Sequence, residues 1–161
     1  MVDFSISSEI QDILNPIRDF VRDELLPLEA EGLTTPFRQL IPTLEEKRAK
    51  VKKLGLWSPF LEKEHGGLGL TLLEFAHVSE ALAYTPFGHY VFNCQAPDIG
   101  NMEVLLQFGT DAQQAEFLTP LIHGDARSCF SMTEPENPGS NPVLMSTQAV
   151  LDGDEWVING H

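Results

Sequence analysis

Residues 127–140 read RSCFSMTEPENPGS and mark the point where the pattern of the chain changes. Before this stretch, apolar residues recur at helical spacing. Within it, Arg127 to Thr133 is a candidate strand, and Glu134 to Pro142 is a loop rich in turn-forming residues. The sequence therefore predicts two parts, a helical domain over residues 1–126 and the start of a β-domain over residues 127–161.

The helical part carries several helix starts. Capping-box patterns, in which a hydroxyl and a Glu or Gln side chain satisfy free N–H groups of the first turn, occur at Ser8–Gln11, Thr43–Glu46, Thr71–Glu74 and Thr110–Gln113. Pro16 predicts a kink or a restart in the first helix, and Gly32 to Pro42 predicts an irregular stretch. The helix from Thr71 is apolar on most sides and is expected to be buried. Phe87 to Phe108 predicts two helical pieces, with Pro97 in the first turn of the second.

The last residues predict a hairpin. Val143 to Leu151 alternates between two faces, Asp152-Gly153 is a strong two-residue turn, and Glu155 to Ile158 returns as a second strand. A sheet of two or three strands is marginal alone. We therefore expect either a longer chain or a second polypeptide to complete this β-domain.

The charge balance excludes some functions. The chain has 161 residues, with 24 acidic and 10 basic side chains and a formal charge of −14, which argues against binding to nucleic acid or to anionic membranes. The helix after Thr43 concentrates basic residues, which are expected to form a solvated face rather than a phosphate site: Lys47, Arg48, Lys50, Lys52 and Lys53. No signal peptide or membrane-spanning stretch is present, so the sequence predicts a cytoplasmic protein.

Other residues favour structural roles. The five histidines lack metal-ligand spacing, and His77 is expected to be a hydrogen-bonded core residue. Cys94 and Cys129 are expected to be small buried apolar residues. The aromatic run at Phe87, Tyr90 and Phe92 favours core over a ligand pocket, with a pocket role kept as the alternative. His65 to Gly69 favours a tight turn over a phosphate loop, because no strand precedes it.

Four motifs in order resemble the acyl-CoA dehydrogenase family. They are EHGGLGL at residues 64–70, SEALA at 79–83, FSMTEP at 130–135 with Gly139-Ser140, and WVINGH at 156–161. The resemblance covers the whole chain. It implies a mainly α fold, in which an N-terminal orthogonal helical bundle is followed by the first strands of a β-barrel-like middle domain.

The resemblance also implies sites. FAD would contact Phe130, Met132 and Thr133, with the Thr hydroxyl at the polar edge of the flavin ring. Gly139 and Ser140 would lie where the flavin pyrophosphate and the pantetheine arm of the substrate pass, so Ser140 is also a substrate-binding candidate. The loop from Pro135 to Gly139 is one residue longer than the common pattern, and Asn141 stands where an Asp commonly follows the Ser.

The implied activity is α,β-dehydrogenation of an acyl-CoA thioester. The family's catalytic Glu usually lies in a C-terminal helical domain, so no catalytic residue is assigned here, and Glu134 is expected to shape the turn before Pro135. The chain alone is expected to be inactive. The implied partners are an acyl-CoA substrate, an electron-transfer flavoprotein or similar acceptor, and further subunits in a homo-oligomer. Two alternatives remain: a short non-catalytic subunit or assembly module of a heteromeric flavoprotein, and part of an acyl-CoA oxidase-like enzyme.

Overall fold

The computed structural model describes residues 4–161 and divides into two compact units. The first unit extends to Ser128, and the second runs from Cys129 to His161. The first is helical and the second contains a two-stranded sheet, which confirms the mainly α fold class. The predicted assignment of the two parts as separate domains divided at residue 126 stays a prediction.

The first unit contains eight α-helices within the described residues. These helices are α1 Ser8–Phe20, α2 Glu29–Gly32, α3 Phe37–Lys53, α4 Leu72–Leu82, α5 Gly88–Val91, α6 Asp98–Phe108, α7 Asp111–Gln113 and α8 Thr119–His123. Two π-helical turns, Val21–Leu25 and Gln114–Leu118, and the 3-10 turns Leu26–Leu28 and Lys63–His65 connect them. No helix in this described part of the chain is long and apolar enough to cross a membrane.

The core of the first unit forms where the apolar stripes of α1, α3, α4 and α5 meet. Its fully buried members include Leu14, Ile17, Leu44, Val78, Leu82, Val91 and Phe92. Phe87 and Phe92 lie in this core and Tyr90 packs against it, so the aromatic run is structural as predicted. A smaller cluster forms beneath α6 and α8 from Leu61, Met102, Leu118 and Leu121.

Helix α1 differs from the prediction at its start and at Pro16. Its N-cap is Ser7, whose hydroxyl accepts a hydrogen bond from the Ile10 N–H at 3.3 Å, so the predicted capping box at Ser8 was one residue late. The predicted restart at Pro16 was wrong, because α1 runs through it, whereas the kink stays a prediction. Pro16 is exposed, and water can reach the backbone carbonyl that loses its partner there. The departure from α-helical geometry comes after Phe20, at the π-helical turn Val21–Leu25.

Helix α3 begins seven residues earlier than predicted. It starts at Phe37 and contains Pro42, so neither the irregular stretch up to Pro42 nor the capping box at Thr43 is correct. The buried residues Leu40 and Leu44 lie one turn apart on either side of Pro42, and their packing outweighs the local cost of the proline. The end is as predicted: Gly55 has a φ of 71°, which is the left-handed cap that glycine favours.

The other helix starts follow the prediction. Thr71 with Glu74, and Thr110 with Gln113, form complete capping boxes. Pro97 is the N-cap of α6, one position before the first turn in which it was predicted. The expectation that α4 is buried on most sides was too strong, because Leu72 at its start is 85% exposed.

The loop before α4 is a tight turn, as predicted. The Gly67 N–H donates to the Glu62 carbonyl at 3.1 Å, and the Gly69 N–H donates to the Leu61 carbonyl at 2.9 Å. A Cβ on Gly67 would lie 2.1 Å from the Leu61 carbonyl oxygen. These N–H groups are therefore used inside the loop, which leaves them unsuited to hold a phosphate.

The prediction of a solvated basic face is wrong for Arg48. The residue is 2% exposed, and its guanidinium donates to the Tyr90 carbonyl at 2.7 Å and to the Gly124 carbonyl at 3.0 Å. It lies 4.7 Å from the ring centroids of Trp57 and Tyr90. Its Nε lies 3.1 Å from a Glu45 carboxylate oxygen. The cation therefore joins α3 to α5 and to the end of α8.

The neighbouring lysines also make contacts inside the unit. Lys47 and Lys50 pair with Glu24, which holds the pKa of that carboxyl below its usual value. Lys52 donates to the His123 carbonyl at 2.7 Å. Only part of this basic segment is a solvated face.

Three smaller predictions have mixed outcomes. Cys94 is buried, as expected, and burial raises the pKa of its thiol. Cys129 is exposed, so its expected burial was wrong. His77 is half-buried, and its Nε2 has no hydrogen-bond partner among the described residues, so the expected hydrogen bond there was also wrong.

The second unit contains one hairpin in its described residues. Strand β1, Gln148–Asp152, pairs antiparallel with β2, Glu155–Asn159, and Val150 lies opposite Val157. The turn residues are Gly153-Asp154, one position later than predicted, and Gly153 has a φ of 62°. The predicted strand start at Val143 was five residues early.

The predicted strand over residues 127–133 was wrong. This stretch has no regular secondary structure, and β1 and β2 pair only with each other within the described chain. A strand is defined by its ladder of hydrogen bonds, so an extended segment without a neighbouring strand does not become one.

Replacing the buried guanidinium tests its importance. In Arg48→Met, the Tyr90 and Gly124 carbonyls lose their donors while the volume of the side chain is largely kept. We expect the free energy of unfolding to fall by about 3 kcal/mol, as for other broken buried polar networks. Denaturant unfolding measures this change.

Lys53→Met is the matched control, because it removes a cation from an exposed position of the same helix. Its effect should stay within about 0.5 kcal/mol. Equal effects of the two substitutions would contradict the role given to Arg48.

Candidate functional site

A groove lies within the second unit and contains three of the five predicted cofactor-binding residues. Its volume is about 620 Å³. Phe130, Met132 and Thr133 line it. The remaining lining residues are Ser131, Glu134, Thr147, Ile158, Gly160 and His161.

The chemistry of this groove suits a flat heteroaromatic ring. Phe130 is 61% exposed and Met132 is 37% exposed, so an aromatic and a thioether surface are available for packing. The hydroxyl of Thr133 can hydrogen-bond to a polar edge, whereas the Thr147 hydroxyl already donates to Glu134. No lining residue is Lys or Arg, so a phosphate near this groove would have to rely on backbone N–H groups and hydroxyls. These residues fit a flavin ring.

The two halves of the predicted motif meet at Gly139. A Cβ at Gly139 would lie 2.6 Å from Thr133 Cγ2 and 2.8 Å from Thr133 Oγ1. Only a glycine therefore lets the loop approach this threonine so closely. Five residues of the loop separate Thr133 from Gly139, and the fold returns them to contact.

Ser140 is placed differently from the other predicted residues. It is exposed and does not line the groove. The next residue, Asn141, accepts a hydrogen bond from the Val143 N–H at 3.2 Å and so caps the 3-10 turn Pro142–Leu144. The Asn in place of the common Asp therefore has a local structural role, and the predicted contacts of Ser140 stay a prediction.

Glu134 organises the loop that forms the groove. The residue is 5% exposed. It accepts from the Thr147 hydroxyl at 2.5 Å, from the Thr147 and Ser146 N–H groups at 2.6 and 2.7 Å, and from the Asn137 amide at 2.6 Å. It therefore ties the segment after Thr133 to the segment before β1, as well as shaping the turn.

These donors also set the acidity of Glu134. The Thr147 hydroxyl and then the Ser146 N–H stabilise the ionised form, and they lower the pKa of Glu134 to about 2. A carboxylate with this pKa accepts a proton poorly at neutral pH. Glu134 is therefore a structural residue, not a suitable catalytic base.

Sequence reasoning missed two of the residues that build this site. Thr147 meets both Glu134 and Gly160, since a Cβ at Gly160 would lie 2.0 Å from Thr147 Oγ1. The available signal was local: a hydroxyl residue just before β1 and a glycine just after β2.

Among residues 4–161, no group of three His, Cys, Asp or Glu side chains is arranged to hold a metal ion.

The lowered pKa of Glu134 predicts an acid transition in this loop. Its pKa falls from an ordinary 4.5 to about 2 in the folded chain. Its stabilising contribution is therefore complete above about 4.5 and is lost as the pH falls toward 2. We expect the NMR shifts of the Ser146 and Thr147 amides to change with a midpoint near pH 2.

Two variants check this assignment. In Glu134→Gln the transition should be absent, whereas Glu136→Gln, which changes an exposed acid of the same loop, should retain it. A midpoint near 4.5 in the unsubstituted chain, or a transition that persists in Glu134→Gln, would contradict the assignment.

Comparison with known proteins gives a consistent result. Residues 7–125 match the family model for the N-terminal domain of acyl-CoA dehydrogenases. The chain is 37% identical to the Mycobacterium tuberculosis protein named probable acyl-CoA dehydrogenase FadE2, over 99% of this chain and 40% of that protein. It is 35% identical to human acyl-CoA dehydrogenase family member 11, over 93% of this chain and 20% of that protein.

Solved structures agree. A Mycobacterium abscessus structure assigned as an acyl-CoA dehydrogenase has a TM-score of 0.85 at 36% identity, covering 97% of this chain and 42% of that one. A Mycobacterium smegmatis glutaryl-CoA dehydrogenase in complex with FADH2 has a TM-score of 0.67 at 27% identity, covering 96% and 38%.

The chain spans less than half the length of these relatives. Its match to the family model nevertheless takes in most of the helical unit, and the relatives align with nearly all of its residues. This chain therefore belongs to the acyl-CoA dehydrogenase family and contains the family's N-terminal domain.

Proposed function

We propose that this chain is the N-terminal part of an FAD-dependent acyl-CoA dehydrogenase that introduces an α,β double bond into an acyl-CoA thioester. The observation that carries this proposal is the contact between Gly139 and Thr133 beside the groove lined by Phe130 and Met132. It brings the two halves of the motif together in one small unit. Family membership and the FADH2 complex of a relative support the choice of cofactor.

The residues of this chain would hold FAD in distinct ways. Phe130 and Met132 would pack against the flavin ring, and the Thr133 hydroxyl would donate to its polar edge. Gly139 and Ser140 would pass close to the pyrophosphate, and Ser140 also to the pantetheine arm of the substrate. When bound, FAD accepts the hydride equivalent that leaves the β-carbon as the thioester loses its α-proton.

The chain supplies binding groups but no assigned base. Glu134 is saturated with donors, and we assign no other carboxylate of this chain to proton abstraction. We therefore propose that the 161 residues alone are inactive. We further propose that the protein passes electrons to an electron-transfer flavoprotein or similar acceptor. It would form a homo-oligomer and lie in the cytoplasm.

The first test is the protein in its native source. An affinity tag on this chain allows purification, followed by intact mass, flavin content and anaerobic addition of acyl-CoA thioesters of several lengths. We expect a mass of roughly 40 kDa or more, the scale of a chain with further domains. We also expect bound FAD, whose visible absorbance bleaches when acyl-CoA is added.

Other outcomes would redirect the proposal. A flavin-free protein, or one whose flavin no acyl-CoA reduces, would overturn it. A purified chain near 17.9 kDa, bound to a second polypeptide, would favour a subunit of a heteromeric flavoprotein. Rapid reoxidation of the reduced flavin by oxygen would favour oxidase-like chemistry.

Gly139→Ala tests the site within the same purified protein. The added methyl would overlap Thr133 and displace its hydroxyl, so we expect the dissociation constant for FAD to rise at least about tenfold, the effect of losing a little over 1 kcal/mol. Flavin fluorescence during titration of the deflavinated protein measures this change.

Gly153→Asn is the control for this substitution. Gly153 is at the hairpin turn, where a Cβ meets no atom within 4 Å and Asn tolerates the positive φ. FAD affinity should stay within about twofold of the parent protein. An unchanged affinity in Gly139→Ala would contradict the proposed approach of FAD to this loop.

A further inference from the structure

Asp98 is a buried carboxylate that the proposed function does not use. It is 2% exposed and is the first residue of α6. One carboxylate oxygen accepts from the Ser128 N–H at 2.8 Å and from the Ser128 hydroxyl at 2.6 Å. The other accepts from Arg127 Nε at 2.5 Å. Asp98 therefore binds two successive residues that are about 30 positions away in the chain.

Residues around Asp98 reinforce this attachment. The Asn101 amide, one turn further along α6, donates to the Ser128 hydroxyl at 2.8 Å. The Arg127 guanidinium lies 5.1 Å from the ring centroid of Tyr90. The backbone at Arg127 and Ser128 is thus held by α6 and α5 together, although it has no regular secondary structure.

Arg127 and Ser128 lie just before residues 130–133, which we call the candidate cofactor segment. Ser128 is the last residue of the first unit, and Phe130 follows two positions later. Two residues of extended chain reach at most about 7 Å. Fixing Ser128 therefore restricts where Phe130 and the residues after it can start.

We propose that Asp98 is a positioning residue, which anchors the start of the segment 130–133 and so limits the mobility of the groups that contact FAD. The anchoring stands on the contacts of Asp98 alone. Its effect on FAD rests on the proposed function.

A role limited to filling space would not need this side chain. A buried ionised group loses hydration, and an apolar residue of similar size would fill the same volume without that cost. What the carboxylate adds is direction, because its oxygens receive three donors from two adjacent residues. The arrangement fixes the backbone as well as the side chains.

The test compares the protein purified from its native source with its Asp98→Asn variant. In the variant an NH2 group replaces one carboxylate oxygen, so that a donor faces the donor of Arg127 or Ser128. We expect amide hydrogen exchange over residues 127–131 to accelerate at least about tenfold, as the loss of a hydrogen bond to a charged group implies. We also expect FAD to dissociate at least about fivefold faster, as measured by the return of flavin fluorescence.

Two further variants keep the test interpretable. Asp111→Asn is the matched control, because it makes the same change at the first residue of another helix, where Asp111 is exposed. It should alter neither exchange at 127–131 nor FAD release. Ser128→Ala keeps the buried ion pair and removes one donor, so it should give a smaller acceleration of both even if Asp98→Asn fails to fold.

The outcomes separate this inference from the proposed function. Unchanged exchange at 127–131 in both Asp98→Asn and Ser128→Ala would overturn the anchor. Faster exchange with unchanged FAD release would show that the anchor does not position the cofactor segment, which also overturns the proposal. A protein that holds no FAD would overturn the proposed function, and the exchange measurements would still decide whether Asp98 anchors the chain.

Discussion

The helical unit depends on one buried cation, the guanidinium of Arg48. It reaches from α3 to carbonyls that lie 42 and 76 positions further along the chain. Its partners constrain their surroundings, because a Cβ at Gly124 would lie 2.2 Å from Arg48 Nη2. The end of α8 therefore needs a glycine for two reasons, its φ of 74° and the space taken by this side chain. Lys52 adds a second attachment to the same turn through the His123 carbonyl.

Most of the features that the sequence predicted correctly have local causes. Capping boxes at Thr71 and Thr110, the glycine cap at Gly55 and the hairpin near Gly153 each depend on a few adjacent residues, and each occurs within one position of its prediction. Features with distant causes were not predictable in this way. The burial of Arg48 depends on residues of α5 and α8, and Pro42 is tolerated within α3 because the leucines around it are buried. No local pattern carries that information.

The residues of the candidate site show the same difference between local and distant causes. Motif resemblance selected Phe130, Met132 and Thr133, and the structure places all three on one groove. The resemblance could not predict the role of Glu134, whose backbone hydrogen-bond donors lie 12 and 13 positions away in the chain. It also did not select Thr147 and Gly160, because their importance arises only when the two strands close against the loop. Sequence thus selected three residues that line the groove, whereas the residues that support the groove could be recognised only from their contacts in the fold.

The hairpin of the second unit has a further consequence for handling the protein. Every residue of β1 and β2 is exposed, and the exposed side chains include Val150, Leu151, Trp156 and Ile158. Within the described chain each strand has only the other as a neighbour, so one edge of each strand offers unpaired backbone groups. Such edges add strands from other molecules. A concentrated solution of the isolated chain is therefore prone to aggregate through this ribbon, and a charged residue at position 150 or 158 would improve its solubility.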